Sequence, residues 1–198
     1  MRPKKISDQD ILTTVRQCLM QHGSKVSTQY IADQLGVSQA TLFKRFGNKT
    51  ELLKLAILLP SQAQYLLDLL ENEPSEEPVL DQLTVLCLGM IHLFDEALPV
   101  WASLHNSGMP IPESMPDNAP PIRARKALTR WLEKLQEQDR MRHNVNPESI
   151  AIAIIGAMQH RSWRMHIVKD HAITQTEEEY VLSFLDVLWM GLRPQNGR

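Results

Sequence analysis

The sequence predicts an all-α protein with two parts, because three features of its patterning agree. Helix-capping signals and apolar positions at 3.6-residue spacing recur along the 198 residues. No segment shows the sustained apolar and polar alternation, with β-branched enrichment, that a sheet requires. The charge is also unevenly distributed along the chain. Residues 1–50 are basic, with eight Lys/Arg and three Asp/Glu, whereas residues 51–198 are acidic, with 13 Lys/Arg and 20 Asp/Glu. We therefore expect a polyanion to contact the first quarter of the chain.

The composition excludes several classes of protein. With 43% hydrophobic and 22% charged residues, the chain is typical of a soluble globular protein. Its longest uninterrupted apolar runs, residues 55–59 and 150–155, are far shorter than the roughly 18 residues of a membrane span. The basic residues 1–5 lead into polar residues, unlike a secretory signal. Cys18 and Cys87 lie in apolar helical patterns without metal or disulfide spacing. We expect a cytoplasmic protein with both cysteines in its core.

Local signals mark four helices in about the first sixty residues. The predicted starts are Ser7 or Asp8, Ser27 or Thr28, Ser38, and Asn48 with Glu51. The predicted stops are Gly23, Leu35 with Gly36, and Gly47. The third of these helices covers about residues 39–46. Because a proline removes one backbone hydrogen bond, Pro60 predicts a kink or break of the fourth helix near Leu59.

The remaining residues predict five or six further helices and one long loop. An apolar stripe from Leu80 to Phe94 predicts a helix, followed after Pro99 by a short helical piece around residues 100–105. Residues 108–121 contain five of the twelve prolines and are predicted to form a loop. Three later helix starts are Pro120 with Pro121, Asn146 with Pro147, and Thr176 with Glu179.

The second and third helices have the organisation of a helix-turn-helix. Gly36 provides the tight turn, and polar residues occupy the faces of the third helix that packing does not use: Gln39, Thr41, Lys44 and Arg45. A helix fits the DNA major groove, where Gln pairs with adenine and the methyl groups of Ala40 and Thr41 can touch thymine. The alternative is a small three-helix bundle with a solvated basic face, in which Arg45 points to solvent or pairs with an acid.

Residues 26–53 combine this turn with a specific spacing, an aromatic pair, and a Gly-x-Lys-x-x-Leu tail at residues 47–52. In these features the chain resembles the DNA-binding domain of TetR-family transcriptional regulators, closely over about residues 8–55. Beyond residue 55 only length and helix signals support the resemblance. It implies a helix-turn-helix DNA-binding domain at residues 1–50 and a helical ligand-binding and dimerisation domain at residues 51–198.

The resemblance implies eight DNA-binding residues. Gln39 and Ala40 would read bases, with Thr41 close beside them. The residues along the phosphates would be Thr28, Ser38, Phe43, Lys44 and Lys49. The family usually has a Tyr at position 43, whose hydroxyl bonds a phosphate, so in this chain that contact is lost or replaced.

The last two helices are predicted to form a homodimer, which a small DNA-reading domain needs in order to bind two half-sites. Residues 150–158 are apolar on every face, and their Ala and Gly residues permit close helix approach. The resemblance implies that the two helices pair with their mates in a four-helix bundle, on a pseudo-palindromic operator of double-stranded DNA. The alternative is a helix central to the core of one chain.

Large flexible and aromatic side chains predict a cavity for a small, largely apolar effector. The candidates are Met90, Phe94, Trp101, His105, Trp131, Met158 and Trp163. Each of them could instead be a core residue.

We therefore expect a sequence-specific transcriptional regulator, with repression implied by the resemblance and release by the effector. The sequence has no catalytic motif, no metal-ligand spacing and no cofactor-binding motif, so we expect neither an enzyme nor a metal or cofactor site. The alternative function is a non-regulatory, architectural DNA-binding protein, which would not explain the acidic and apolar remainder of the chain.

Overall fold

The computed structural model describes residues 6–58, 61–106 and 120–194. These ranges form nine α-helices and contain no strand, which confirms the predicted all-α fold. The helices are α1 (Asp8–His22), α2 (Thr28–Leu35), α3 (Gln39–Phe46), α4 (Lys49–Leu58), α5 (Ser61–Glu71), α6 (Val79–Asn106), α7 (Pro120–Glu137), α8 (Pro147–Trp163) and α9 (Glu177–Leu192). A 3-10 turn (Gly23–Lys25) follows α1, and a π-helix (Arg164–Val168) continues directly from α8.

Side-chain caps begin most of these helices at the predicted residues. Ser7 is the N-cap of α1, and Ser27 and Ser38 are the N-caps of α2 and α3. The remaining caps are Asn48, which accepts from Glu51 N at 3.0 Å, Asn146, which accepts from Ser149 N, and Thr176, which shares a capping box with Glu179. Because each side chain satisfies a backbone N–H that has no partner within the helix, the caps set the helix starts locally.

The prolines break the helices less than predicted. Pro99 lies inside the continuous helix α6, so the separate short helix predicted after it is wrong. The helix continues to bury Val100 completely in an apolar core, which offsets the backbone bond that Pro99 cannot make. Pro120 and Pro121 are the first residues of α7, which confirms the predicted helix start and excludes the two prolines from the loop predicted over residues 108–121. The break predicted near Leu59, and residues 108–119 of the loop predicted over 108–121, lie outside the described residues.

The chain divides into two compact units. The first comprises residues 1–61 with 96–114, and the second comprises residues 62–95 with 115–198. Leu52, Leu53 and Ala56 of α4 are completely buried in the core of the first unit together with apolar residues of α1, α2 and α3. These packing units therefore differ from the functional domains predicted at residues 1–50 and 51–198, which remain a prediction.

A buried arginine lies at the centre of the first unit. Arg16 of α1 is 2% exposed and donates to the carbonyl oxygen of Ala56 at 3.1 Å and to Thr13 Oγ1 at 3.0 Å. Its Nε lies 2.8 Å from Glu96 Oε1 of α6. Burial lowers the pKa of Arg16, while the Glu96 carboxylate opposes that shift. This one side chain thus joins α1, α4 and the end of α6 within the unit.

The second unit has its own apolar core, built from α5 to α9. Leu83, Ile91, Leu128 and Ile154 are among its completely buried members. Residues Val79–Ala102 are long and apolar enough to span a membrane by length and composition alone, yet six of them also belong to this core: Val79, Leu83, Leu86, Cys87, Met90 and Ile91. Both thiols are buried as predicted, and burial raises the pKa of Cys87 to about 12.

We expect Glu96→Gln to destabilise the protein, because Arg16 then stays buried without its counter-charge. The predicted loss is about 2–4 kcal/mol in the free energy of unfolding, measured by urea denaturation followed by circular dichroism. The control is Glu71→Gln, which breaks the exposed Arg123–Glu71 pair and should cost less than about 1 kcal/mol. Equal losses in the two variants would contradict the role given to Arg16.

Candidate nucleic-acid interface

Helix α3 has one buried face and one exposed face. Leu42 and Phe46, four residues apart, point into the core of the first unit and are 0% and 9% exposed. On the other side Ala40, Thr41 and Lys44 are exposed, and Gln39 and Phe43 are partly exposed. The burial of two side chains at helical spacing therefore presents the predicted base-reading residues together on the outside of the unit.

The turn before α3 depends on Gly36. Its φ of 66° and ψ of 30° are left-handed, a conformation that glycine adopts at little cost. The Gly36 N–H bonds the carbonyl oxygens of Ala32 and Asp33 and closes the end of α2. Ser38 then caps α3, since its Oγ accepts from Thr41 N at 3.2 Å. The chain reverses within three residues and leaves the first N–H groups of α3 exposed, as in a helix-turn-helix.

The hydroxyl groups of Thr28 and Thr41 are poorly placed to donate hydrogen bonds to DNA. Thr28 is only 7% exposed, so the backbone N–H groups in the first turn of α2 are better placed than its hydroxyl to meet a phosphate. The hydroxyl of Thr41 lies 2.9 Å from Ser38 Oγ and already has a hydrogen-bond partner. Its methyl group is therefore the part of Thr41 best suited to a base contact.

Arg45 pairs with an acid, which was one of the two alternatives left by the sequence. Its guanidinium forms an ion pair with Asp8 and donates to the carbonyl oxygen of Ile6 at 2.7 Å. These contacts join the end of α3 to the beginning of α1. Arg45 thus positions the recognition helix, and Lys44 and Lys49 remain the predicted phosphate contacts beside it.

The sequence did not identify the partners in two contacts that position the helices of this domain. One is the Arg45–Asp8 pair, and the other places Tyr30 Oη of α2 at 3.1 Å from His22 Nε2 at the end of α1. The Tyr30 and His22 rings also meet edge to face, with centroids 4.8 Å apart. Both contacts join residues in different helices, so no local pattern could have predicted them.

The predicted effector residues have different surroundings. Met90, Trp131 and Met158 are buried in the core of the second unit, and Phe94 packs against that core. Trp163 is 43% exposed and stacks on His160, while Trp101 is exposed and lies in the first unit. The side chain of His105 lies outside the described residues. The seven candidates thus remain a prediction, of which the structure brings four together.

A groove of about 370 Å³ lies instead along α9. It is lined by Gln175, Tyr180, Ser183, Phe184, Val187 and Leu188, none of which was a predicted effector residue. Burial raises the pKa of Tyr180, and the charges of Arg161 and Arg164 oppose this shift. No group of three or more possible metal-ligating side chains occurs among the described residues.

The capped turn, the buried face of α3 and its exposed polar face define a helix-turn-helix DNA-binding protein. Residues 11–56 match the sequence model of the bacterial regulatory proteins of the tetR family. Residues 11–56 therefore form a DNA-binding domain of the tetR-family type, which makes the chain a helix-turn-helix DNA-binding regulator. None of the curated proteins compared with the chain matches it.

Solved structures of similar fold cover nearly the whole chain. A protein of unknown function from Rhodococcus sp. RHA1 has a TM-score of 0.71 at 17% identity, and the alignment covers 98% of this chain and 100% of the other. The TetR transcriptional regulator SCO0520 from Streptomyces coelicolor has a TM-score of 0.62 at 19% identity, over 96% and 99%. A gamma-butyrolactone receptor has a TM-score of 0.61 at 20% identity, over 93% and 86%. At these identities the likeness shows the fold alone.

We expect the double substitution Gln39→Ala with Lys49→Ala to weaken binding to the DNA that flanks the gene of this protein. One base contact and one phosphate contact are lost per protomer, so affinity should fall at least about tenfold. The slope of log affinity against log salt should also become shallower by about one per protomer. Fluorescence anisotropy over a salt series measures both quantities.

The matched control is Lys134→Ala, which removes an exposed cation from α7 in the second unit. Affinity and salt slope should then stay at the wild-type values. If the double variant also kept both values, the predicted docking of α3 would be wrong.

Proposed function

We propose that this regulator is a homodimeric repressor of a pseudo-palindromic operator, released by a small, largely apolar ligand. The observation that carries the proposal is an apolar face on α8, the π-helix and α9 that stays exposed among the described residues. As a repressor of transcription it would act in the cytoplasm.

Seven large apolar side chains form this face, which we call the α8/α9 face. Their exposed fractions lie between 40% and 70%. They are Ile152, Trp163, Met165, Val168, Leu182, Val187 and Met190. Single exposed apolar residues are common, but such a concentration on two neighbouring helices is typical of a protein interface. The same two helices also bury Ile154, Met158, Val181 and Leu185 in the core, so they are apolar on both sides.

Gly156 makes close approach of a second helix possible at the α8/α9 face. It follows Ile152 by four residues and precedes Trp163 by seven, so the three lie along one stripe of α8. A Cβ added to Gly156 would meet no atom within 4 Å. We propose a second copy of the chain as the partner of this face. A dimer with two-fold symmetry presents two recognition helices, one for each half-site of the operator.

Release by a ligand is supported by the fold and by composition. One structure of similar fold is a gamma-butyrolactone receptor, and another concerns control of antibiotic production by bacterial hormones. By this analogy the second unit would receive a small effector. The dimer would have two arrangements, and only one would space the recognition helices correctly for DNA. A ligand that binds the other arrangement more tightly would lower DNA affinity by the ratio of its two affinities.

We expect Gly156→Arg to convert the dimer into a monomer. In the single chain the new side chain meets open space, whereas in the dimer it would insert a charge into the helix contact. Sedimentation velocity at micromolar concentration measures the change. The matched control is Gln17→Arg at an exposed position of α1, which should stay dimeric. A wild-type monomer, or a dimeric Gly156→Arg protein, would refute this interface.

Specific repression predicts a clear preference for the native flanking DNA over a scrambled duplex. Specific binding exceeds non-specific binding by about 4–10 kcal/mol in typical regulators. Anisotropy with the scrambled duplex as competitor measures the preference, and transcription in vitro from the flanking promoter should fall when the protein is added. Equal binding to both duplexes at this site would favour the architectural alternative. Increased transcription would exclude repression.

A further inference from the structure

The chain just before helix α1 is attached to the recognition helix α3 by Arg45. Arg45 Nη1 donates to the carbonyl oxygen of Ile6 at 2.7 Å, and Arg45 Nη2 forms an ion pair with Asp8. Ile6 also packs against the apolar core of the first unit. Because Ile6 is the first residue that the structure describes, these contacts fix the point at which residues 1–5 join the unit.

This attachment point lies beside the exposed part of α3. Arg45 follows Thr41 by four residues, so the two share one stripe of the helix, one turn apart. Both are exposed, whereas Leu42 and Phe46 form the buried face. Ile6 therefore lies next to a stripe of α3 that also carries a predicted base contact.

Residues 1–5, which we call the basic arm, carry three cations and no acid. The cations are Arg2, Lys4 and Lys5. Arg2, the most distant of them, precedes Ile6 by four residues. An extended chain spans at most about 3.6 Å per residue, so the Cα of Arg2 lies within about 14 Å of the Cα of Ile6. All three cations therefore stay near the exposed part of α3.

The two acids at the beginning of α1 do not cancel this positive charge. Asp8 pairs with Arg45, and Asp10 accepts hydrogen bonds from Ser7 N at 3.2 Å and from Ser7 Oγ at 2.7 Å in the capping box. Residues 1–10 together with Arg45 hold four Lys/Arg against two Asp/Glu. The region beside the end of α3 is therefore basic, which suits a polyanion.

We infer that the basic arm is a second DNA-binding site, which contacts the DNA backbone and minor groove beside the major groove that α3 occupies. Phosphates border the major groove on both sides of a bound helix, and Lys and Arg bind phosphates and the negative potential of a narrow minor groove. Homeodomains, which also read DNA with the third of three helices, use an arm before the first helix in this way. The inference requires neither the proposed dimer, nor repression, nor a ligand.

Arg45 is a positioning residue for the basic arm as well as for α3. Its guanidinium is already used by Ile6 and Asp8, so it acts on DNA through the segment that it holds. A segment with a fixed starting point beside its target has fewer arrangements to lose on binding than a segment without one. The attachment therefore increases the contribution of the basic arm to DNA affinity.

The test compares the full-length wild type with the triple variant Arg2→Gln, Lys4→Gln, Lys5→Gln. Fluorescence anisotropy over a salt series measures binding to the native flanking duplex and to a scrambled duplex. Each lost phosphate contact makes the slope of log affinity against log salt shallower by about 0.9, so we expect a change of about two to three per protomer. Affinity at low salt should fall at least about tenfold. The slope should change on both duplexes, because phosphate contacts carry no sequence information.

Netropsin, which occupies A·T-rich minor grooves, distinguishes the two parts of the DNA that can attract the basic arm. If the basic arm enters the minor groove, netropsin should weaken DNA binding by the wild type more than binding by the triple variant. If the basic arm contacts phosphates alone, netropsin should affect both proteins equally.

The matched control removes three exposed cations from the second unit by Lys126→Gln, Arg130→Gln and Lys169→Gln. It changes the net charge of the chain by the same amount, and it should keep the wild-type affinity and salt slope. Both triple variants should melt at the wild-type temperature, because the arm residues precede the first core residue and the control residues are exposed.

Arg45→Gln tests the attachment of the basic arm. In this background the three arm substitutions should cost less affinity than in the wild type, since the basic arm has lost its fixed starting point. This double-mutant cycle separates the attachment from any direct effect of Arg45 on α3. Equal costs in the two backgrounds would refute the role of Arg45 as a positioning residue for the basic arm.

The inference is overturned if the arm variant keeps the wild-type affinity and salt slope, or if the control variant loses as much of either. Its failure can be distinguished from that of the proposed function. Equal binding of the wild type to the flanking and scrambled duplexes would count against the specific repressor. The change of salt slope on either duplex would still decide whether the basic arm binds DNA.

Discussion

The DNA-binding unit depends on the buried guanidinium of Arg16. It holds the carbonyl oxygen of Ala56 near the end of α4 and the carboxylate of Glu96 in α6, while its own helix α1 packs against α2 and α4. A charge in this place is costly unless its partners are all present, so it favours one arrangement of the three helices. The apolar core around Arg16 stabilises the unit, and Arg16 determines how the three helices are positioned relative to one another.

The recognition helix is positioned from three sides by different interactions. Gly36 and Ser38 fix where it begins, Leu42 and Phe46 fix which face is buried, and the Arg45 ion pair fixes its end. Leu42 and Phe46 lie on the side of α3 opposite the predicted base-reading residues, and Gly36 and Arg45 are not among those residues. Because they are independent of the exposed residues, base-reading side chains can vary without loss of the fold.

Helices α8 and α9 carry two apolar faces, and this explains why their pattern in the sequence was ambiguous. One face contributes Ile154, Met158 and Leu185 to the core, and the α8/α9 face remains exposed. An all-round apolar helix fits the centre of one chain as well as an interface between chains. Only the packing of α8 against α7 and α9 shows which residues the chain itself covers.

The sequence by itself determined the features that depend on neighbours within a few residues. These are the caps at Ser7, Ser38 and Thr176, the turn at Gly36 and the resemblance of residues 26–53, since a cap or a turn is a contact between residues close in the chain. Tertiary structure decided what depends on distant partners. Pro99 stays within α6 and Arg45 pairs with Asp8, because packing between helices outweighs local preference or creates contacts that no spacing encodes.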